Sequence, residues 1–555
     1  MTRWCALALL LVSLLGALPP PPVSTGGPVV ARVYFRDQQE RDWLGANFDV
    51  WEVHPEAGYV VALVQPAQRE ALRAGGYRVY VDERRTALLG RPLPALPGQT
   101  TGIPGYPCYR TVEETQADLA RLASEHPGLA QWTDIGDSWD KTVAGGPPGY
   151  DLHALVLTNE AVVGPKPRLF VIGGVHAREL AGAELATRFA EFLVTRYGLD
   201  PDVTWLLDHT VVHIVAQANP DGRKRAEAGL LWRKNTDNDD GCTDSTRWGT
   251  DLNRNGTFHW GGASANPCAE VYQGPAAGSE PETQAFQGYL ASLVADQRGA
   301  GDEDPVPADG SGVFITLHAY GGLVLFPYDF RTSPAPNATQ LQTLGRKFGY
   351  YTGYRVCQSS QCLYLASGTQ DDWAYGELGL AAYTFELGNT FFQDCATFED
   401  TIARDGLFAL VYAAKAARRP YQTPAGPETL MLTVLPSAVQ PGTPVAVSAV
   451  ADDTRYAGGG PTSEPVQAIA AARLSLDAPS WVTGSVTVPM EADDGAFDAP
   501  VESVRAMLDT AGLLPGRHLV LIESRDAAGN WGVPSAAWLL IVAERRFLPL
   551  VLRAE

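Results

Sequence analysis

The most informative short motif in the sequence is His176-Ala-Arg-Glu179, which follows the apolar run RLFVIGGV and precedes a run with helical periodicity. An imidazole and a carboxylate three residues apart can be aimed at one point by a single helical turn. Together they are a ligand pair that suits zinc. The junction between a strand and a helix is also where α/β proteins place ligands. The motif therefore predicts a metal site, although a lone HxxE is common in sequences.

A catalytic zinc site keeps three protein ligands and one open position, so a third ligand is needed. His318 is the candidate because it lies in the strand-like run VFITLHAY. Glu386 ends a second such run, AAYTFELG, where a carboxylate is costly unless it is paired or functional. Beside a metal it could act as general base toward a water molecule whose pKa zinc lowers to about 7. Taken alone, each residue is more often structural, and we interpret His209 and His213 as structural histidines.

The elements that must position these residues belong to one block, residues 108–420. Near-continuous apolar strands alternate there with helix-like runs, which predicts an α/β fold. The sheet is expected to be mixed, mostly parallel, and covered by helices on both faces. Thr111 and Glu114 have the spacing of a capping box at the start of the first helix.

The segments on either side of this block have different patterns. Residues 28–84 alternate apolar and polar residues around a helical run, which predicts a small α+β module. Residues 85–107 are rich in Pro and Gly and predict a linker. Residues 421–545 hold short strands between turn signals, which predicts an immunoglobulin-like β-sandwich. The apolar tail, 546–555, could be a last strand or an export-related signal.

The N-terminus has the pattern of a secretory signal peptide, to which we assign residues 1–25. A short apolar run follows Arg3, and cleavage is expected between Ala17 and Gly27. The mature chain is then expected to be secreted and extracellular, with no membrane span. The alternative is an N-terminal membrane anchor.

Cysteine usage agrees with export, because an exported chain with this many cysteines predicts disulfides. Cys242 and Cys268 flank one loop-rich stretch and form the pair with most support. Cys357 and Cys362 would close a short loop, and Cys108 and Cys395 would then remain as a long-range pair. The sequence alone leaves these two pairings open.

The overall composition excludes several classes of protein. Charged residues make up 19% of the chain and apolar residues 45%, which is typical of a folded protein and not of a disordered one. The formal net charge of −21 makes the chain a poor general binder of nucleic acid or anionic membrane. It favours cationic ligands instead.

A series of motifs in the block carries a resemblance to a known family. HARE is followed by NPDG, LWRK, DLNRN, HAY, LYLASG, DDW and TFELG. In this order and at this spacing, they resemble the zinc carboxypeptidase A/B family over about residues 106–420. The resemblance implies a metallocarboxypeptidase that removes the last residue from peptides or proteins with a free C-terminus.

The resemblance also implies a role for each matching residue. His176, Glu179 and His318 would bind one zinc ion, Glu386 would be the general base, and Arg233 would stabilise the oxyanion. The other implied roles are binding of the terminal carboxylate by Asn253 and Arg254, closure over the substrate by Tyr364, contact with upstream residues by Arg178, and orientation of His176 by Asp251.

Two acidic residues bear on specificity. Asp371 precedes the Asp-Trp pair, at the position that forms the base of the family's specificity pocket, where a carboxylate resembles the B-type enzymes. Asp329 matches a second pocket position with the same preference. A buried carboxylate needs a partner, which a substrate Lys or Arg would supply. The alternatives are a pocket for apolar residues and dual specificity.

Other functions remain open at this level. Residues 28–84 occupy the place of an inhibitory prosegment, while the predicted sandwich could bind a surface or a polymer. A zinc amidase acting on cell-wall peptides would use the same metal chemistry, and a non-enzymatic adhesin would not need it. The sequence contains no GxSxG elbow and no Walker or Rossmann glycine motif.

Overall fold

The computed structural model describes residues 26–91, 94–458, 464 and 466–542. The predicted signal peptide, 1–25, and the apolar tail, 546–555, lie outside the described residues. Within the described ranges, no helix combines the length and apolar character needed to cross a membrane.

The N-terminal part forms an antiparallel sheet of four strands in the order β2-β3-β1-β4. Its elements are β1 Val29–Tyr34, α1 Gln38–Asn47, β2 Asp49–His54, β3 Tyr59–Val64, α2 Pro66–Ala74, β4 Arg78–Val81 and the short helix α3 Glu83–Thr86. Alternation along β1 buries Val29, Ala31 and Val33 against Leu44 of α1. This part therefore has its own hydrophobic core.

The central sheet has eight strands in the order β11-β10-β12-β9-β7-β8-β6-β5. Their bounds are β5 Ala130–Asp137, β6 Asp151–Leu157, β7 Arg168–Gly173, β8 Val211–Val215, β9 Val313–His318, β10 Leu323–Phe326, β11 Arg355–Gln358 and β12 Ala381–Glu386. The strands from β12 to β8 run parallel, and antiparallel pairs lie toward both edges. The predicted α/β fold with a mixed sheet is confirmed.

Helices cover this sheet because its central strands bury both faces, as all six residues of β9 show. The helices are α4 Val112–Glu125, α5 Trp139–Thr142, α6 Leu180–Arg196, α7 Pro201–His209, α8 Pro220–Glu227, α9 Pro281–Leu293, α10 Ala338–Thr352, α11 Ser359–Cys362, α12 Gln370–Leu378, α13 Cys395–Thr397 and α14 Arg404–Ala416, with a π-helix at Phe398–Ala403 and a 3₁₀ turn at Thr423–Ala425. Thr111 and Glu114 form the predicted capping box at the start of α4.

The C-terminal part is a second eight-stranded sheet in the order β13-β15-β18-β17-β16-β19-β20-β14. Its strands are β13 Glu428–Leu435, β14 Ala438–Val439, β15 Val445–Asp452, β16 Ile469–Leu476, β17 Thr487–Ala492, β18 Val501–Leu508, β19 Gly516–Asp526 and β20 Ser535–Ile541. The end strands β13 and β14 follow each other in the chain, so the sheet curls until it nearly closes like a barrel. The immunoglobulin-like sandwich stays a prediction.

This β module packs directly on the α/β part. Leu519, Leu521 and Val533 belong to the same buried apolar cluster as the central sheet. Trp481 packs against that cluster and meets Trp205 of α7 edge to face. The β module therefore adds part of its apolar surface to the core of the central sheet, while its interior forms a second apolar cluster.

The cysteines form three disulfides: Cys108–Cys395, Cys242–Cys268 and Cys357–Cys362. The first joins the segment before α4 to α13 across a separation of 287 residues. The third closes a loop of five residues just before Tyr364.

Candidate active site

The parallel pairing of three strands brings the predicted metal ligands together. Strand β9 lies between β7 and β12, so the carboxyl ends of all three meet at one edge. His318 ends β9 and pairs in register with Glu386, which ends β12. His176 and Glu179 follow β7, and Glu179 is the residue from which α6 starts. His176 and His318, which are 142 positions apart in the chain, therefore become neighbours.

The ligand atoms converge closely. The Nδ1 atom of His176 lies 2.7 Å from Oε1 of Glu179, and Nδ1 of His318 lies 3.0 Å from Oε2 of Glu179. The two Nδ1 atoms are 3.0 Å apart. All three side chains are buried, and one ligand atom from each lies within 4.8 Å of the others. Two imidazoles and one carboxylate match the donor set of three-ligand zinc sites, so these residues fit a zinc ion.

Asp251 orients the first histidine from behind. Its Oδ1 lies 3.1 Å from Nε2 of His176, which leaves Nδ1 directed toward the ligand cluster. Its Oδ2 accepts hydrogen bonds from Nε and Nη2 of Arg233, at 3.0 and 2.8 Å. Burial opposes ionisation of Asp251, but the charges of Arg233 and His176 hold its pKa well below the usual range. Asp251 therefore stays ionised and couples the histidine to the arginine.

Glu386 faces the same cavity as the metal ligands. Desolvation and, to a smaller extent, repulsion from Glu179 together raise the pKa of its carboxyl to about 8. A carboxyl with a raised pKa can both accept and donate a proton near neutral pH.

The predicted substrate-binding residues Asn253, Arg254 and Tyr364 also line the cavity. Asn253 is held on both sides, because its N–H donates to Asp251 and its Oδ1 accepts from the N–H of Gln370. Arg254 donates to the carbonyl of Asn253 at 2.6 Å and is buried. The cavity thus presents an amide and a guanidinium close to the metal ligands.

The two predicted specificity residues are brought together with a third carboxyl. Asp329, Asp371 and Asp372 are all buried. Asp372 accepts hydrogen bonds from the N–H groups of Asp329 and Phe330. Burial raises the pKa of Asp329 well above its ordinary value, and the nearby Asp371 raises it further. Among the described residues, no cationic side chain forms an ion pair with any of the three.

Arg178 has a different environment from the one its predicted role requires. Its guanidinium forms two hydrogen bonds with Asp49 of β2, at 2.7 and 2.6 Å, and both side chains are buried. Arg178 also stacks on Phe391, with its guanidinium carbon 4.0 Å from the ring centroid. Contact with upstream substrate residues stays a prediction, since the N-terminal sheet occupies this guanidinium.

The N-terminal part closes the cavity, and sequence reasoning missed the residues that do so. Val50, Trp51 and Val53 of β2 line the cavity beside the metal ligands. Glu52 accepts a hydrogen bond from the hydroxyl of Tyr320. The space left is about 70 Å³, far below the roughly 300 Å³ of an ordinary ligand pocket. Alternation in β2 was visible in the sequence, but nothing there indicates what its faces contact.

The structure places His213 apart from this site. Its ring stacks on Phe170 and its Nδ1 bonds the hydroxyl of Tyr289. Burial lowers the pKa of His213 to about 3, so it is neutral near pH 7. Burial also lowers the pKa of His209.

Comparisons with known proteins agree with this geometry. The profile of the family described as zinc carboxypeptidase matches residues 115–406. Carboxypeptidase A2 of Mus musculus is 31% identical over 294 residues, which is 51% of this chain and 63% of that protein. Zinc carboxypeptidase A 1 of Anopheles gambiae is 33% identical over 293 residues, 50% of this chain and 60% of that protein. The chain thus spans less than two thirds of the length of these relatives.

Two solved structures share the fold. Carboxypeptidase A from Helicoverpa armigera superposes with a TM-score of 0.57 at 22% identity, covering 71% of this chain and 98% of that one. Thrombin activatable fibrinolysis inhibitor gives a TM-score of 0.52 at 22% identity, covering 70% of this chain and 99% of that one.

Proposed function

Because the chain belongs to the zinc carboxypeptidase family, we propose that it is a secreted, zinc-dependent metallocarboxypeptidase that hydrolyses the C-terminal peptide bond of its substrates. The observation that carries this proposal is the convergence of His176, Glu179 and His318 beside Glu386, in a cavity that also contains Arg254. The signal-peptide pattern and the three disulfides support secretion.

The chemistry divides among a few groups. Zinc held by His176, Glu179 and His318 would polarise the scissile carbonyl and lower the pKa of a water molecule. The carboxylate of Glu386 takes the proton of the attacking water and passes it to the leaving amine. Two hydrogen bonds to Asp251 fix the orientation of the Arg233 guanidinium. Its remaining N–H groups donate to the oxygen on which negative charge develops.

Recognition of the chain end falls to Asn253 and Arg254. The planar guanidinium of Arg254 can donate two parallel hydrogen bonds to the substrate's terminal carboxylate. An internal peptide bond offers no such anion, so these contacts restrict cleavage to the last residue. Tyr364 closes over the bound residue, and Arg178 contacts upstream residues once Asp49 has left.

The preferred C-terminal residue is Lys or Arg. Asp329 and Asp371 are buried without a cationic partner among the described residues, and a substrate cation would relieve the cost of ionising them. Dual specificity for basic and apolar residues is the weaker form of the same proposal.

A peptide panel tests this function. The zinc-loaded, processed enzyme is assayed on peptides that differ only in the last residue, beside a Glu386→Gln variant. We expect the variant to bind zinc normally and to lose turnover by about 10²- to 10⁴-fold. Release of Arg or Lys should exceed release of Leu or Phe in kcat/KM. Cleavage of cell-wall peptides but not of L-peptides would contradict the proposal, and so would full turnover by the variant.

We propose further that residues 28–84 are an inhibitory prosegment joined by the linker 85–107 to a catalytic domain at 108–420. Three contacts of helix α1 hold the loop that carries Tyr364. Arg41 donates to the carbonyl of Ser360, and Asp42 accepts from the N–H of Leu365. Gly45 lies so close to the Tyr364 ring that a Cβ atom there would overlap it. With Asp49 bound to Arg178, these contacts block both the pocket and its closing tyrosine.

Inhibition can be tested in the intact chain with Asp49→Asn. The change removes the charge that pairs with Arg178, so the uncut variant should hydrolyse peptides at least tenfold faster than the uncut wild type. After cleavage in the linker, the two proteins should be equally active. Glu56→Gln, on an exposed turn of the same part, is the control. An uncut wild-type chain as active as the cut one would contradict the proposal.

For residues 421–545 we propose an immunoglobulin-like sandwich that binds a surface or a polymer. The strand order supports it: β13-β15-β18 and β16-β19-β20 are two antiparallel groups, and β17 pairs with one strand of each.

A further inference from the structure

A cleft of about 410 Å³ lies between the end of helix α14 and the β module, and it does not include any residue of the active site. One wall contains Lys415, in the last turn of α14, and Arg418 and Arg419, in the turn that follows the helix. The other wall contains Arg473 of β16 and Trp531 of the loop before β20. The cleft is therefore lined by cations, in a chain with a net charge of −21.

Two of these cations are already neutralised. Lys415 forms an ion pair with Asp202 at 2.7 Å. Arg473 forms one with Glu523 at 2.9 Å. The same carboxylate oxygen of Glu523, Oε2, accepts a hydrogen bond from Arg473 and another from the hydroxyl of Ser480.

The other two arginines form no ion pair within the described part of the chain, although the charge of Glu523 acts on Arg418 from across the cleft. Among the described residues, neither Arg418 nor Arg419 forms an ion pair or a side-chain hydrogen bond, although acidic residues outnumber basic ones by 63 to 42. Arg525, beside the cleft, has a buried Nε atom with no hydrogen-bond partner. The end of α14 contributes only about half a negative charge, which is less than two guanidinium groups carry.

Aromatic rings stack on three arginines in and beside the cleft, whereas Arg419 is exposed to solvent. The guanidinium carbon of Arg418 lies 4.7 Å from the centroid of Trp481. Those of Arg473 and Arg525 lie 3.8 and 5.5 Å from the centroid of Trp531. A stacked guanidinium keeps the N–H groups at its edge available, and that planar edge matches the oxygens of a carboxylate, phosphate or sulfate.

We propose that this cleft is a binding site for an oxyanion, with Arg418 and Arg419 as its principal ligand-binding residues. The oxyanion group is carried either by a small ion or by an anionic polymer such as a sulfated oligosaccharide. The site joins the catalytic domain to the β module, so it would anchor the protein to an anionic ligand while the active site stays open. The proposal does not depend on the carboxypeptidase activity.

The test is calorimetric titration of the full chain with inorganic phosphate, inorganic sulfate and a sulfated oligosaccharide. Wild-type protein should bind at least one probe saturably, and binding should weaken as salt increases. The double variant Arg418→Gln/Arg419→Gln should bind at least tenfold more weakly. Arg505→Gln removes the same type of charge from an exposed site elsewhere in the module and should bind like wild type.

The outcomes separate the two sources of the oxyanion. Similar binding of the inorganic ions would assign a small-ion site, and binding of the oligosaccharide alone would assign a polymer site. The double variant should keep wild-type peptidase turnover, which shows that it is folded. The substitution Arg525→Gln, beside the cleft, provides a second, independent variant for the binding measurement. The absence of saturable binding to wild type overturns the proposal, as does equal binding by wild type and both cleft variants.

Discussion

At the scale of single residues, the proposed specificity pocket contains buried carboxyls that differ in their hydrogen-bond partners. Asp372 is held by two backbone N–H groups, so it has a structural partner in the folded chain. Asp371 has no such backbone donors from other residues, and burial raises its pKa. A substrate cation would form the missing ion pair and favour the ionised form. The difference between these neighbouring residues makes Asp371 the one whose replacement should change specificity.

We expect Asp371→Asn to lower kcat/KM for a C-terminal Arg substrate by about 10- to 10³-fold, since a buried charge-pair contact is worth about 2–5 kcal/mol. Release of Leu should change little or improve, because no charge then needs to be desolvated. Steady-state kinetics on two peptides that differ only in the last residue measures kcat/KM for release of Arg and for release of Leu. Asp309→Asn, at an exposed position, is the control. Equal losses for both substrates would argue for a structural role instead.

At the scale of elements, helix α9 begins with a buried acidic turn. Glu282 accepts the N–H of Trp139 and an N–H of the Asn235 amide. Burial and, to a smaller extent, the nearby charge of Glu280 together raise its pKa to about 8. The folded chain therefore keeps a proton on Glu282 at pH values where the unfolded chain, with a pKa near 4.5, has lost it. Folding is then favoured at low pH, and this contribution declines as pH rises toward 8.

The substitution Glu282→Gln should make the free energy of unfolding less dependent on pH. In wild type, Glu282 contributes a fall of up to about 1.4 kcal/mol in unfolding free energy per pH unit between about pH 5 and 8. The variant lacks this group, so its melting temperature should fall less over the same interval. Calorimetry of the zinc-loaded protein at both ends of the range measures the difference. Glu377→Gln, an exposed residue, should follow wild type, and a variant with the wild-type slope would contradict the assignment.

At the scale of the whole molecule, long-range links join distant parts of the chain. The disulfide Cys108–Cys395 spans almost the entire α/β part. The shared core continues from the central sheet into the C-terminal β module through Leu521 and Val533. Within the described residues, the N-terminal sheet shares no core with the central sheet and meets it through side-chain contacts such as Asp49 with Arg178 and Trp51 with Phe391. Such an attachment suits a part that is released after cleavage.

Removing the long disulfide should destabilise the molecule more than removing the short one. In the chain-entropy account, a cross-link stabilises more as its loop lengthens. Cys108→Ser/Cys395→Ser should therefore lower the unfolding free energy by about 2–5 kcal/mol. Cys357→Ser/Cys362→Ser should lower it by less, because its loop has a separation of only five residues. Melting temperatures of the two double variants, compared with wild type, test this order.

The central α/β sheet and the residues at its edge could be predicted from the sequence, because both follow from local sequence patterns. The apolar runs that end in His318 and Glu386, and the helix that follows Glu179, indicate an α/β sheet. In parallel strands, the carboxyl ends lie at one edge, so residues placed there converge whatever their separation in the chain. The metal ligands and the general base could therefore be proposed from the sequence itself.

The tertiary structure alone decided which distant surfaces touch. The pairing of Asp49 with Arg178 joins residues 129 positions apart, and alternation in β2 does not say what its faces contact. The curl of the C-terminal sheet depends on β17 pairing with both of its neighbours. That Arg418 and Arg419 form no ion pair with any described carboxylate becomes visible only once the nearby acidic residues have been located. Periodicity in a sequence records burial and local geometry, whereas contacts between separately folded parts depend on the shape and charge of both surfaces.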